Sequence, residues 1–167
     1  IIFTGLINFI NFMDGIDGLV AGCMLTIFSF YYLTIDPSFV YLLPLLSAFL
    51  IFNWNPSKLF MGDSGSTFLG SLFVSILLRS SSINEFIIIF SIASPLVFDS
   101  FSCLLRRFIS KQNIFKPHKQ HLYQRLIQYG FSHSKISFLY ISATLFLCLV
   151  AILNNLIISA FSMLGVL

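Results

Sequence analysis

The stretch NFINFMDGIDGLVAGCMLTIFSFYYLTI, residues 8–35, sets Asp14 and Asp17, each followed by a glycine, against a run from Gly18 to Ile35 that carries no charge. A membrane-crossing helix needs roughly 20 mostly apolar residues, and 18–35 comes near that length. The bias extends over the chain: of 167 residues, 57% are hydrophobic, only 9% are charged and 21 are Phe. Mean hydropathy is +0.96. A water-soluble domain carries about a quarter charged residues, so this composition excludes one and predicts an integral membrane protein. The formal charge of +3 is too small to suggest a nucleic-acid partner. Cys23, Cys103 and Cys148 stand singly in apolar runs, without a CxxC or a His at ligand spacing. They read as small apolar fillers, neither disulfide nor zinc site.

Similar segments follow at about 39–54, 66–80 and 85–105, and an apolar tail runs from about 136 to 167, where Asn154–Asn155 divides it in two. Residues 1–10 read as the end of a further span. In lipid only a helix satisfies its own backbone without closing a barrel. The expected fold is therefore all-α: a polytopic transmembrane helix bundle of about five or six spans, one integral-membrane domain over 1–167. No Met opens the chain, and residues 1–11 show neither a charged n-region nor a small-residue cleavage site. No signal peptide is read there, and the chain is expected to begin inside a longer protein.

Counting spans assigns the loops alternately to two sides. Residues 11–17, 53–65 and 106–134 fall on one side, and Asp36-Pro37-Ser38 and 80–84 on the other. Six of the nine Lys and Arg (Arg106, Arg107, Lys111, Lys116, Lys119 and Arg125) lie in 106–134, which the positive-inside rule makes cytoplasmic. Asp14, Asp17 and Asp63 share that face. Carboxylates from two stretches thus meet histidines and cations from a third, which is how a site is assembled.

Each stretch also has a plainer reading. Asn8, Asn11, Asp14 and Asp17 recur at intervals of three, so on a helix they would keep to neighbouring positions. They are either a loop with helix-capping aspartates or a polar surface for a divalent cation or the polar half of a substrate, since hard cations take oxygen ligands. In FNWNPSKLFMGDSGSTFLG, residues 52–70, Pro56 stops one helix, residues 62–66 form a turn and a helix resumes at Thr67. Asp63 or Ser64 caps that helix, or Asp63 approaches a metal while the helix N-terminus favours phosphate. In KPHKQHLYQRL, residues 116–126, His118 and His121 stand about one turn apart beside Lys119 and Arg125. Without a third ligand zinc does not fit. The stretch is either a solvated basic loop on anionic headgroups or a grip on a diphosphate. Asp99, about two turns before Arg106 in an apolar segment, is expected to pair with a cation of the basic loop or close a network inside the bundle.

Together the three stretches resemble the polyprenyl-phosphate N-acetylhexosamine-1-phosphate transferase family. This branch of glycosyltransferase family 4 includes phospho-N-acetylmuramoyl-pentapeptide transferase and the transferases that start O-antigen and related glycans. NFINFMDGIDGL is similar to its Asn-x-x-Asn-x-x-Asp-Gly-x-Asp-Gly motif and FNWNPSKLFMGDSGS to its Asn…Pro…Phe-Met-Gly-Asp-x-Gly-Ser motif. PHKQHLYQRL resembles the histidine loop of the O-antigen-initiating branch. The resemblance implies transfer of an N-acetylaminosugar 1-phosphate from a UDP-sugar to undecaprenyl phosphate, with release of UMP, at the cytoplasmic face of the bacterial inner membrane. By the same resemblance Asp63 and Asp17 would hold Mg²⁺, or Mn²⁺ in its place, and Asn11, Asp14 and Asp17 would line the nucleotide-sugar site. Asn53 and Phe60 would contact the nucleotide, Phe60 against the uracil face. His121, with His118 and Arg125, would hold the diphosphate or sugar, and Asp14, Asp17, Asp63 and His121 form the implied catalytic set. Membrane lipids are implied partners, and a homodimer is allowed.

One departure stands out. The family carries an adjacent aspartate pair followed by a Lys, upstream of the first motif and proposed to serve the lipid phosphate, but no Asp-Asp occurs in these 167 residues. The chain is thus expected to be the carboxyl-terminal half to two thirds of such an enzyme, or a noncatalytic remnant. Phospho-N-acetylmuramoyl-pentapeptide transfer is the other enzymatic reading, although that branch carries a run of adjacent histidines. A transporter subunit, with Asp99 and the rim aspartates marking an ion path, would call for inverted repeats or paired broken helices. Neither shows in the sequence.

Overall fold

The computed structural model describes residues 1–113 and 120–163, with side chains through Asn154. Among the described residues every regular element is helical: α1 (Ile2–Phe12), α2 (Leu19–Thr34), a 3₁₀ turn (Pro37–Tyr41), α3 (Leu42–Asn53), α4 (Gly62–Leu78), α5 (Ile83–Ile92), α6 (Ser94–Ile109), α7 (Leu122–Gln128) and α8 (His133–Met163).

The arrangement follows from which helices lack a polar face. α2 carries apolar side chains all round and buries them all round, from Leu19, Val20 and Ala21 through Cys23, Met24, Ile27 and Phe28 to Phe30 and Tyr31. Such a helix has to be central. It packs against α8, α3 and the 3₁₀ turn, while α1 lies between α4 and α6. Local signals fix the ends. Asp36 Oδ1 accepts the Ser38 N–H at 2.9 Å and Pro37 follows as the first residue of the 3₁₀ turn, a combination that starts a turn without leaving a donor orphaned. Ser82 does the same for α5, accepting the Glu85 N–H at 3.2 Å, while Glu85 accepts the Ser81 N–H at 2.9 Å.

Among the described residues one stretch, His133–Asn154 in α8, is by itself long and apolar enough to cross a membrane. The other apolar helices are shorter, and the span expected over 85–105 is two helices bent by 75° at Ala93. The cause is Pro95: it has no N–H to bond the carbonyl four residues back and its ring crowds that carbonyl, so α5 cannot run on, whereas the first turn of a new helix tolerates it, and the chain restarts as α6. Three further expectations are corrected. The periodic set Asn8, Asn11, Asp14 and Asp17 does not share one helix, because α1 ends at Phe12 and the aspartates lie in the connection that Gly15 and Gly18 allow. The turn expected over 62–66 is instead the opening of α4, where Ser66 and Thr67 hydroxyls bond back to the carbonyls of Gly62 and Asp63. Asn154–Asn155 does not divide the tail, since α8 runs through it.

Candidate active site

The connection from α1 to α2 carries the two aspartates. Gly18 ends it at φ +76°, the left-handed region that side chains disfavour. A Cβ there would also stand 2.7 Å from Trp54 Cε3. Its N–H donates to Asn53 Oδ1 at 3.0 Å, and Asn53 Nδ2 donates to the Leu59 carbonyl at 2.9 Å. Asn53, 4% exposed, therefore clamps the end of α3 to both the aspartate connection and the loop that leads to Asp63. Gly15 is required for a different reason: a Cβ on it would stand 2.0 Å from Tyr123 Oη. That hydroxyl donates to the Phe12 carbonyl at 3.2 Å and accepts from Gln124 Nε2 at 3.1 Å, so α7 is docked against the aspartate connection.

These clamps bring Asp14, Asp17 and Asp63 to one pocket of about 310 Å³, whose wall includes Asn53, Phe60 and His133. Phe60 is 75% exposed, a bare ring at the pocket rim free to meet a planar partner. Asp17 is held from three directions: Asn55 Nδ2 donates to Oδ2 at 2.8 Å, Ser57 Oγ to Oδ1 at 2.9 Å, and His133 Nδ1 lies 3.3 Å from Oδ2. Partial burial raises its pKa, but the hydrogen bonds from Asn55 and Ser57, with the imidazole of His133 beside it, outweigh that and keep the carboxyl below its usual range. Asp14 behaves oppositely. Burial, and then the neighbouring Asp63 charge, push it up to about 6.

Two carboxylates that repel each other in one pocket are a reservoir of affinity for a cation. Among the described residues no three such groups converge closely enough to enclose a metal. An oxygen-only set that supplies one or two carboxylates and leaves the rest to water and phosphate oxygens suits Mg²⁺. The donor chemistry thus fits that ion, with Asp63 beside Asp14 and with Asp17, whose lone pairs are not exhausted by its hydrogen bonds.

The remaining sequence-expected residues lie elsewhere. Asn11 accepts a hydrogen bond from Ser66 and so ties α1 to the first turns of α4, beside the pocket and not in its wall. His121 is 3% exposed, with Nδ1 3.7 Å from Asp99 Oδ1 and its ring 6.2 Å from that of Phe12. Arg125 lines a separate pocket with Arg106 and Arg107. His118 falls outside the described residues. Asp99 closes a network inside the bundle, one of its two expected roles: it accepts from Leu122 N–H at 2.7 Å, Tyr123 N–H at 3.2 Å and Tyr140 Oη at 2.6 Å. His133, Asn55 and Ser57 are absent from the sequence-derived set. The signal for His133 is its place just before an apolar run, on the side already assigned to the site; nothing in local pattern marks Asn55 or Ser57.

A family model described as glycosyl transferase family 4 matches residues 1–81, the part that carries all three pocket aspartates. The chain belongs to glycosyl transferase family 4. Among its relatives in the family, a probable undecaprenyl-phosphate N-acetylglucosaminyl 1-phosphate transferase of Bacillus subtilis is 34% identical over 145 residues, covering 78% of this chain and 40% of that protein. A phospho-N-acetylmuramoyl-pentapeptide-transferase of Staphylococcus epidermidis is 31% identical, covering 76% of this chain and 42% of that protein. A decaprenyl-phosphate N-acetylglucosaminephosphotransferase of Mycobacterium leprae is 28% identical over 80% of this chain and 41% of its own length. The chain spans about two fifths of the length of these family members.

Proposed function

We propose that the protein of which this chain forms all or part transfers an N-acetylaminosugar 1-phosphate from a UDP-sugar to undecaprenyl phosphate. UMP leaves, and the product starts an envelope glycan of the O-antigen kind. The observation that carries this reading is one pocket that unites Asp14, Asp17 and Asp63 with an exposed Phe60. Phosphoryl transfer is mostly positioning and charge neutralisation, and each part of the pocket serves one of these. Phe60 would stack on the uracil. Asp63, with Asp14 and Asp17, would hold Mg²⁺, which when bound neutralises diphosphate charge and orients it. Asn55, Ser57 and His133 keep Asp17 ionised and aimed. His121 acts as a positioning residue: beside Asp99 it helps seat α7, which supports the aspartate connection through Tyr123. The site faces the cytoplasm of a multi-pass inner-membrane protein, on the side of the six clustered cations.

A second reading, phospho-N-acetylmuramoyl-pentapeptide transfer, is favoured by the Staphylococcus relative. One experiment separates the two: exchange of radiolabelled UMP into a panel of UDP-sugars, including the pentapeptide-bearing one, on membranes that contain the full-length protein and undecaprenyl phosphate. Mg²⁺-dependent label in a UDP-N-acetylaminosugar is the expected result, and it is lost in Asp63→Asn. Full exchange in Asp63→Asn removes the metal assignment, and no exchange with any donor removes the reaction.

A further inference from the structure

A second polar pocket, about 210 Å³, shares no wall residue with the first. Arg106, Arg107, Ser110, Gln112, Gln120 and Arg125 line it. Arg107 is 6% exposed, yet among the described residues no carboxylate pairs with it. Nη1 donates to Gln120 Oε1 at 3.3 Å and Nη2 to the Asn113 carbonyl, while the buried Nε has no partner among the described residues. Arg106 likewise spends itself on neutral groups, Nε on the Ser102 carbonyl at 3.3 Å and Nη2 on the Gln120 carbonyl at 3.2 Å. Among the described residues no carboxylate pairs with any of the three guanidinium groups. The carboxylate closest in sequence, Asp99, is committed to Tyr140 and to the start of α7.

A guanidinium withdrawn from water without an anion is unfavourable, so the pocket is complete only with a negative ligand. The end of α6 opposes such a ligand with roughly half a charge, and three whole charges outweigh that. Forked guanidinium donors match the oxygens of a phosphate, and at ~30 Å³ per water the pocket has room for about seven waters, enough for a phosphate and its ester links. Leu105, Phe108 and Ile109 stand exposed on α6 around the arginines, so the pocket opens beside apolar surface. Cations flanked by exposed apolar side chains mark the level of lipid headgroups.

We propose that Arg106, Arg107 and Arg125 form a phosphate-binding site apart from the carboxylate pocket, and that the phosphate it holds is the headgroup of an anionic phospholipid. The test is native mass spectrometry of the full-length protein released from nanodiscs of phosphatidylcholine with or without phosphatidylglycerol. The expected result is one tightly retained phosphatidylglycerol per chain. Retention should weaken about fivefold in Arg106→Gln, as for one lost cation near a bilayer, more in Arg107→Gln, and not at all in Lys58→Gln, which removes an exposed cation elsewhere. Arg106 is exposed, so its variant keeps the test decisive if Arg107→Gln does not fold. Pyrophosphate bound in pure phosphatidylcholine discs, and weakened by Arg106→Gln, would uphold the phosphate site and overturn the lipid as its carrier. Equal retention of phosphatidylglycerol by Arg106→Gln and Lys58→Gln, or retention of neither ligand, overturns the site.

Discussion

Asp14 and Asp17 stand three residues apart in one connection, yet their environments drive them in opposite directions. Asp17 is hydrogen-bonded into its ionised form, whereas burial and the Asp63 charge raise Asp14 to about 6. A carboxyl raised in the folded state favours the protonated form. Its contribution to stability is greatest below the unfolded pKa of 3.8 and is lost as pH rises toward about 6. Above that the protein carries two repelling charges, and a cation between them relieves the repulsion. Mg²⁺ should therefore raise the melting temperature more at about pH 7.5 than at about pH 5, with affinity falling roughly tenfold per pH unit below the Asp14 pKa. Asp14→Asn should flatten that dependence. Equal Mg²⁺ shifts at both pH values would show that Asp14 does not face the ion.

At the scale of elements, α7 is the shortest α-helix among the described residues and the most consequential for the site. Seven residues make a helix too short to persist alone, and Asp99 supplies what it lacks by accepting from its first two N–H groups, with Tyr140 as a third donor. Removing that acceptor strands buried donors. Asp99→Ala should destabilise the fold by about 3–5 kcal/mol, and Asp99→Asn, which keeps one acceptor oxygen, by less. Amide hydrogen exchange at Leu122 and Tyr123 should rise most of all. Unchanged exchange there in Asp99→Ala would show that α7 is seated by something else. The sequence discloses Asp99 as a buried charge needing partners but not which ones, because they come from α7 and α8, 23 to 41 residues away. The same limit separates the legible part of the pocket from the rest. Asp14, Asp17 and Asp63 announce themselves as charges beside glycines in an apolar chain. His133, Asn55 and Ser57 join only because the start of α8 and the loop after α3 fold onto Asp17. Helix boundaries shift for local reasons: Pro95 breaks an apolar run that composition alone leaves whole, and α4 already begins at Gly62, where the Ser66 and Thr67 hydroxyls bond back to the carbonyls of its first turn.

At the scale of the whole molecule, two contacts constrain how the chain lies in a bilayer. Tyr123 touches Phe12 and His133 touches Asp17, so residues 120–133 lie on the same side as the aspartate connection. The chain between Asp63 and Gln120 must then return to the side it left. Either α4 and the bent pair α5–α6 both cross, or neither does. α4 has 17 residues, about 25 Å at 1.5 Å per residue, somewhat less than a hydrocarbon core of about 30 Å. A shortfall of that size is met by local thinning of the bilayer at a cost of fractions of a kcal/mol per Å. The cations gathered near residues 106–125 favour a crossing that keeps them cytoplasmic. A cysteine placed at Ser81, between α4 and α5, should therefore react with an impermeant maleimide from the periplasmic side, and one at Gln112 from the cytoplasmic side. Cys23, Cys103 and Cys148 are all buried, so the background should be low. Labelling of both positions from the cytoplasmic side would make the pair of helices bent at Ala93 re-entrant, and would remove two crossings from the bundle.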